Sequence, residues 1–205
     1  MLGTPVTKSA LIVVAAGSLA VCVPAVIAFT TPTPVVRSLP RDESVRIMFA
    51  NATVPRSGDS ADNPRRVRSL LNIRKALQHG QFIWNDTGVA AGPVWLRVDV
   101  KAQTISVFRA GHEIGTAVVL YGADKKPTPL GTFAVLDKRR DHVSSLYDAP
   151  MPYTLRLTND GISIHGGDVK LNYATHGCVG VPVEFAALLF EQVKVGDEVD
   201  VVNFT

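Results

Sequence analysis

With 205 residues, 46% of them hydrophobic and 19% charged, the chain can build one well-packed domain with extensions and is too apolar for wholesale disorder. A formal net charge of +3 with no uninterrupted basic run argues against nucleic acid as a partner and suits an anionic polymer or a lipid headgroup better.

The chain opens with a targeting pattern. Lys8 precedes an uncharged apolar stretch from Ser9 to Phe29, so the remainder is expected to be exported. A run of about 20 apolar residues spans a bilayer, which makes residues 1–29 a membrane anchor or a signal peptide. Val26-Ile27-Ala28 offers a cleavage pattern, and Cys22 a lipidation alternative that Val21 disfavours. The expected location is extracytoplasmic, in the periplasm or cell wall, with inner-membrane anchoring through residues 9–29 as one outcome. The only cysteines are Cys22 and Cys178, so an exported domain would carry one unpaired thiol where pairs normally oxidise.

Residues 30–93 read as linker and lead-in. TTPTPVV is proline-rich, and NATVPRSGDSADNP mixes turn formers with charge. Arg65–Leu77 admits a short basic helix or, as the better fit, a solvated segment packing one apolar edge. From Val94 the pattern alternates with period two. VWLRVDV and QTISVFR are joined at Lys101-Ala102, and HEIGTAVVLYG follows a turn at Ala110-Gly111. PTPLG reads as a loop and TFAVLDK as one strand. YTLRLT and GISIH form a hairpin around Asn159-Asp160-Gly161. PVEFAALLFEQV reads as a helix with an early proline and an apolar face of Phe185, Leu188 and Leu189. GDEVDVV closes the chain as a turn and strand. Residues 94–205 are thus expected to form a mostly β domain, sandwich- or barrel-like, with one helix.

The chemistry is concentrated in GISIHGGDVKLNYATHGCVGVP. His165 ends a strand, and Thr175-His176-Gly177-Cys178 leads towards the helix. A cysteine nucleophile acts as thiolate, and an imidazole that meets it in space can take its proton and return it to a leaving amine. If His165 does this, the thiol is expected to titrate below the ordinary value of about 8.5. Gly177 leaves the backbone bare, so the Cys178 amide and its neighbour can point at a developing oxyanion.

HG followed at a modest interval by [ST]HGC, with TPLGTF upstream, resembles the L,D-transpeptidase (YkuD) catalytic domain over roughly residues 94–202. The resemblance implies that fold, with the helix after the cysteine, and no cofactor. It implies Cys178 as nucleophile and His165 as general acid/base, with the Gly166 carbonyl orienting the imidazole. Thr175 and His176 would support the site, and Tyr153 is placed near the donor pocket by position alone. The implied substrate is a peptidoglycan stem tetrapeptide, which loses its terminal D-Ala to a thioester and is then transferred to a neighbouring amine. Water or a free D-amino acid in the second step would instead make a carboxypeptidase or an exchange enzyme. Carbapenem-type β-lactams are expected to acylate the same cysteine. Gly180 departs from the family's HGC[VI]R pattern, and Arg156 is the candidate to replace that arginine in space. The loop between His165 and Thr175 is also short.

Two readings compete. His165, Asp168, His176 and Cys178 are all possible zinc ligands, although His176 and Cys178 are closer in sequence than paired structural ligands usually are. A non-catalytic wall-binding domain would have no need of a lone cysteine beside two histidines. His79 and His112 sit in polar surroundings that read as surface, whereas His142 lies in a polar and aromatic loop that borders the candidate site. Trp84 and Trp95 are expected to pack rather than bind.

Overall fold

A computed structural model of the chain describes residues 46–49, 65–123 and 125–204. The leader, Cys22 and most of the proline-rich stretch lie outside the described residues. The elements in order are β1 Arg46–Met48, β2 Ser69–Leu71, β3 Phe82–Trp84, β4 Val94–Asp99, β5 Thr104–Arg109 and β6 His112–Val118. They continue with β7 Gly131–Ala134, β8 Asp137–Arg139, β9 Thr154–Arg156, β10 Ser163–Gly167, β11 Val179–Pro182, helix α1 Val183–Gln192 and β12 Glu198–Val202.

Two sheets result. The larger runs β1-β2-β6-β5-β4-β12-β7, with β3 also on β6, and the smaller runs β11-β10-β9-β8. The period-two pattern decides which side faces in. Leu96 and Val98 of β4, Ile105 and Val107 of β5 and Val199 and Val201 of β12 are buried, with polar residues between them. From the smaller sheet, Leu155, Ile164, Val179 and Val181 meet them in one continuous core, which also takes Phe185, Ala186 and Leu189 of α1. Each such side chain contributes about 1.5–3 kcal/mol when fully buried. The fold is mostly β with one short helix after the cysteine, in line with the sequence reading.

The two sheets are stitched beside the cysteine. Leu120, just past β6, pairs antiparallel with Gly180 of β11, each amide donating to the other's carbonyl at 2.9 Å. Gly122 then pairs parallel with Thr175. Helix α1 starts at Val183, and Pro182 precedes it as the N-cap residue, with φ −53° and no amide donor to lose there.

Several local expectations are revised. TFAVLDK is not one strand: the Val135 amide donates to Asp197 and the next amide, of Leu136, donates to Arg156, so the chain changes sheet between β7 and β8. Arg65–Leu77 contains β2 rather than a helix, because Ser69 and Leu71 point into the structure. The stretch read as linker and lead-in supplies β1, β2 and β3 to the larger sheet. His112 is half-buried, with Nδ1 2.9 Å from the Ser69 hydroxyl, and burial among Arg46 and Arg68 pushes its pKa down. Trp95 stacks on Phe108 at 4.1 Å and Trp84 packs edge-on against Phe185 at 5.5 Å.

Candidate active site

β10 and β11 run parallel, with Ile164 opposite Val179 and His165 opposite Gly180. Ile164 and Val179 face the core, so the alternation turns Ser163, His165 and Gly180 to the other face. Cys178 sits immediately before β11, one position from core-facing Val179, and therefore belongs to the His165 face. Diagonal positions on adjacent strands stand roughly 7–8 Å apart at the backbone, within reach of an imidazole. The topology thus brings together a histidine and a cysteine that are separated in sequence by a short loop.

His165 is half-buried, and its Nδ1 lies 2.9 Å from the Gly166 carbonyl. That carbonyl accepts only a proton, so the neutral ring carries its hydrogen on Nδ1 and leaves the Nε2 lone pair available. Burial pushes the imidazole below its ordinary pKa, the Gly166 carbonyl works against this, and His142 adds to the downward push. The ring is therefore neutral and basic at neutral pH. The Gly166 backbone is itself fixed, its amide donating to Pro152 at 2.8 Å.

The Cys178 thiol donates to the Gly161 carbonyl at 3.9 Å, and among the described residues no hydrogen bond joins it to the imidazole. Burial pushes the thiol above its ordinary pKa. The Ser163 backbone N–H and Lys126 pull it down, and Asp160 pushes it up. The expectation of a lowered thiol pKa is therefore overturned for this conformation: desolvation outweighs the favourable partners. Both shifts favour the neutral forms, imidazole and thiol.

The loop before the cysteine is held by Thr175, whose hydroxyl donates to the Cys178 carbonyl at 2.5 Å and whose amide donates to Tyr121 at 3.0 Å. Gly177 has φ +102°, a conformation that favours glycine, and a Cβ there would push against Ile162 Cδ1 at 2.6 Å. His176 is exposed and stacks on Tyr147 at 4.3 Å.

Arg156 and Tyr153 part company. Arg156 is the register partner of Ser163 and, on its other side, of Asp137, so it shares the His165 face. Its Nε is buried without a hydrogen bond. Tyr153 faces the other way: its ring meets Phe190 of α1 at 5.8 Å beneath the Arg140 guanidinium, and is not brought to the His165 face. Gly180 has room for a side chain, since a Cβ there would meet Leu120 at 3.5 Å and Thr175 at 3.7 Å, both ordinary contacts.

Sequence reasoning missed the Gly161 carbonyl and the Ser163 amide, because backbone groups leave no signature in residue type. It also missed Lys126. The zinc alternative finds no support in the geometry. Asp168 pairs with Lys170 at 2.6 Å, His176 stacks on Tyr147, and no three His, Cys, Asp or Glu side chains form a ligating cluster among the described residues.

A family model described as the L,D-transpeptidase catalytic domain matches residues 93–201, more than half of the chain. Among characterised proteins, L,D-transpeptidase 1 of Mycobacterium tuberculosis is 26% identical over 208 residues, an alignment that takes in 88% of this chain and 78% of the relative. Among solved structures, the L,D-transpeptidase LdtMt1 in complex with imipenem is 28% identical with a TM-score of 0.50, over 53% of this chain and 58% of that one. An L,D-transpeptidase from Stackebrandtia nassauensis is 26% identical with a TM-score of 0.51, over 56% of this chain and 57% of that one. The chain therefore spans less than two thirds of those solved chains. The matched residues hold both sheets' central strands, the helix and the cysteine loop, and the chain belongs to the L,D-transpeptidase (YkuD) catalytic domain family.

Proposed function

We propose that this protein is an exported L,D-transpeptidase that acts on peptidoglycan stem peptides through a thioester on Cys178. His165 Nε2 takes the Sγ proton as sulfur attacks the carbonyl of the third stem residue. A C–S bond forms and the amide C–N bond breaks. The proton passes from His165 to the departing D-Ala amine. A side-chain amine of a neighbouring stem then attacks the thioester, losing its proton to His165. The new amide forms and sulfur leaves, recovering the proton as thiol. The Cys178 and Gly177 amides receive the oxyanion in each step, and Arg156 contacts the donor as a cation on the His165 face. The leader is proposed to carry the domain across the inner membrane or to hold it there.

The observation that carries this reading is the shared face of β10 and β11. His165 is the register partner of Gly180, two residues past the half-buried Cys178, and its Nδ1 is engaged by the Gly166 carbonyl, which supports Nε2 as the base. Family membership supports the acyl-transfer class, and the imipenem complex of LdtMt1 supports the choice of a carbapenem as probe. Intact mass of the full chain after incubation with imipenem should show a single adduct, absent from Cys178→Ala. No adduct on the native protein would remove Cys178 as an acylatable nucleophile.

A further inference from the structure

The chain at Ala123 and Lys126 is pressed against the cysteine loop. The Lys126 amide donates to the Ala123 carbonyl at 2.8 Å, closing the turn, and the Ala123 amide donates to Thr175 at 3.2 Å. The Thr128 hydroxyl, in a nearly fully buried residue, accepts from the Gly122 amide at 2.9 Å. Backbone meets backbone here: a Cβ on Gly122 would run into the Lys126 carbonyl and stand 2.8 Å from the Gly177 Cα. The half-buried Lys126 side chain lies across the cysteine loop, its Cγ 3.7 Å from where a Cβ on Gly177 would stand. Its ammonium has no hydrogen-bond or ion-pair partner among the described residues. The other charge acting on the thiol is Asp160, whose Oδ1 already accepts from the Thr158 hydroxyl at 2.5 Å.

A cation held against the cysteine loop, with no counter-ion among the described residues, suits an anion carried by the substrate. We propose that Lys126 is the carboxylate-recognising cation of this site, selecting acyl donors whose scissile bond lies next to a free carboxylate. This deepens the acyl-transfer reading, and lysine serves it as a point charge that needs no fixed planar geometry. Lys126 also acts on the thiol itself in the direction of thiolate.

The test uses thiol alkylation of the full chain, which requires no transpeptidase activity and so separates failure of this proposal from failure of the wider reading. Rates at Cys178 are measured with iodoacetate, an anion, and iodoacetamide, its neutral counterpart. Lys126→Gln should lower the iodoacetate-to-iodoacetamide ratio by about three- to tenfold, Lys126→Arg should restore it, and Lys125→Gln should leave it unchanged. In the native protein the same ratio should fall as salt rises from 10 mM to 1 M, a readout that needs no variant to fold. A ratio indifferent to salt, unmoved in folded Lys126→Gln, or lowered equally by Lys125→Gln would overturn the proposal. With a tetrapeptide donor, Lys126→Gln should raise KM for the free carboxylate while leaving the carboxamide analogue unaffected. An equal rise for both would also count against it.

Discussion

At the scale of single residues, the site works because environment rather than residue type sets its protonation. Burial pushes the His165 imidazole down and the Cys178 thiol up, so the proposed pair is an uncharged thiol and an uncharged base. The base is active when deprotonated, and its pKa lies below the ordinary value of about 6.5, so acylation by a carbapenem should lose rate only on the acid side of that value. Stopped-flow acylation against pH checks this, and an acid limb centred above pH 7 would contradict it. Direct alkylation, which lacks the base step, should instead keep rising past about pH 8.5 because the thiol is pushed up. Gly177→Ala places a Cβ at φ +102° against Ile162, and should cost about 1–3 kcal/mol in denaturant unfolding while slowing acylation. Gly180→Ala meets only ordinary contacts and should leave stability within about 0.5 kcal/mol of the native protein. The sequence made Cys178 and His165 legible through their motif. The pKa directions were not legible, because desolvation depends on what covers a group, and Lys126 was not, because only the folded chain brings it to the cysteine loop.

At the scale of elements, the strands that could be read were those exposed on one face. β4, β5 and β12 alternate apolar and polar residues, and the helix shows its proline entry and apolar stripe. The short or doubly covered ones were not. β1, β2 and β3 have three residues each, too few to show a period, and β11, VGVP, is buried throughout and reads as loop. The β7–β8 break was hidden because a strand changing sheets keeps its extended composition. α1 depends on Phe185, fully buried and packed edge-on against Phe82 at 5.6 Å and Trp84 at 5.5 Å. Phe185→Ala should cost about 3–5 kcal/mol of unfolding free energy, since the cavity opens between helix and sheet where neither can collapse. A cost under about 1 kcal/mol would show that α1 is not held by this ring.

At the scale of the molecule, an interior strand of the larger sheet carries a buried acid outside the His165 face. Glu113 of β6 is 4% exposed, accepting from the Ser106 hydroxyl at 2.6 Å and from the Leu71 amide at 2.8 Å. Burial raises its pKa, while Ser106, the Leu71 amide and Arg46 of β1 lower it. A raised folded-state value means the protonated form is favoured by folding. Its contribution is full below the unfolded value of about 4.3 and is lost as pH rises through the folded pKa. The melting temperature of the native protein should therefore fall more between pH 5 and pH 8 than that of Glu113→Gln, and parallel curves would contradict the sign. Arg46 hydrogen-bonds the backbone carbonyls of Glu113 and Asn85, so residues far upstream of the matched domain are part of the sheet rather than a passive tether.

The most direct test of the central claim is to mix the full chain with a stem tetrapeptide and follow both halves of the first step, free D-Ala and the mass of the enzyme. The account predicts one D-Ala released per acylated enzyme and a hydroxylamine-labile tripeptidyl adduct on Cys178, lost in Cys178→Ala and slowed about 10²–10⁴-fold in His165→Ala. D-Ala released at the native rate by Cys178→Ala would contradict it.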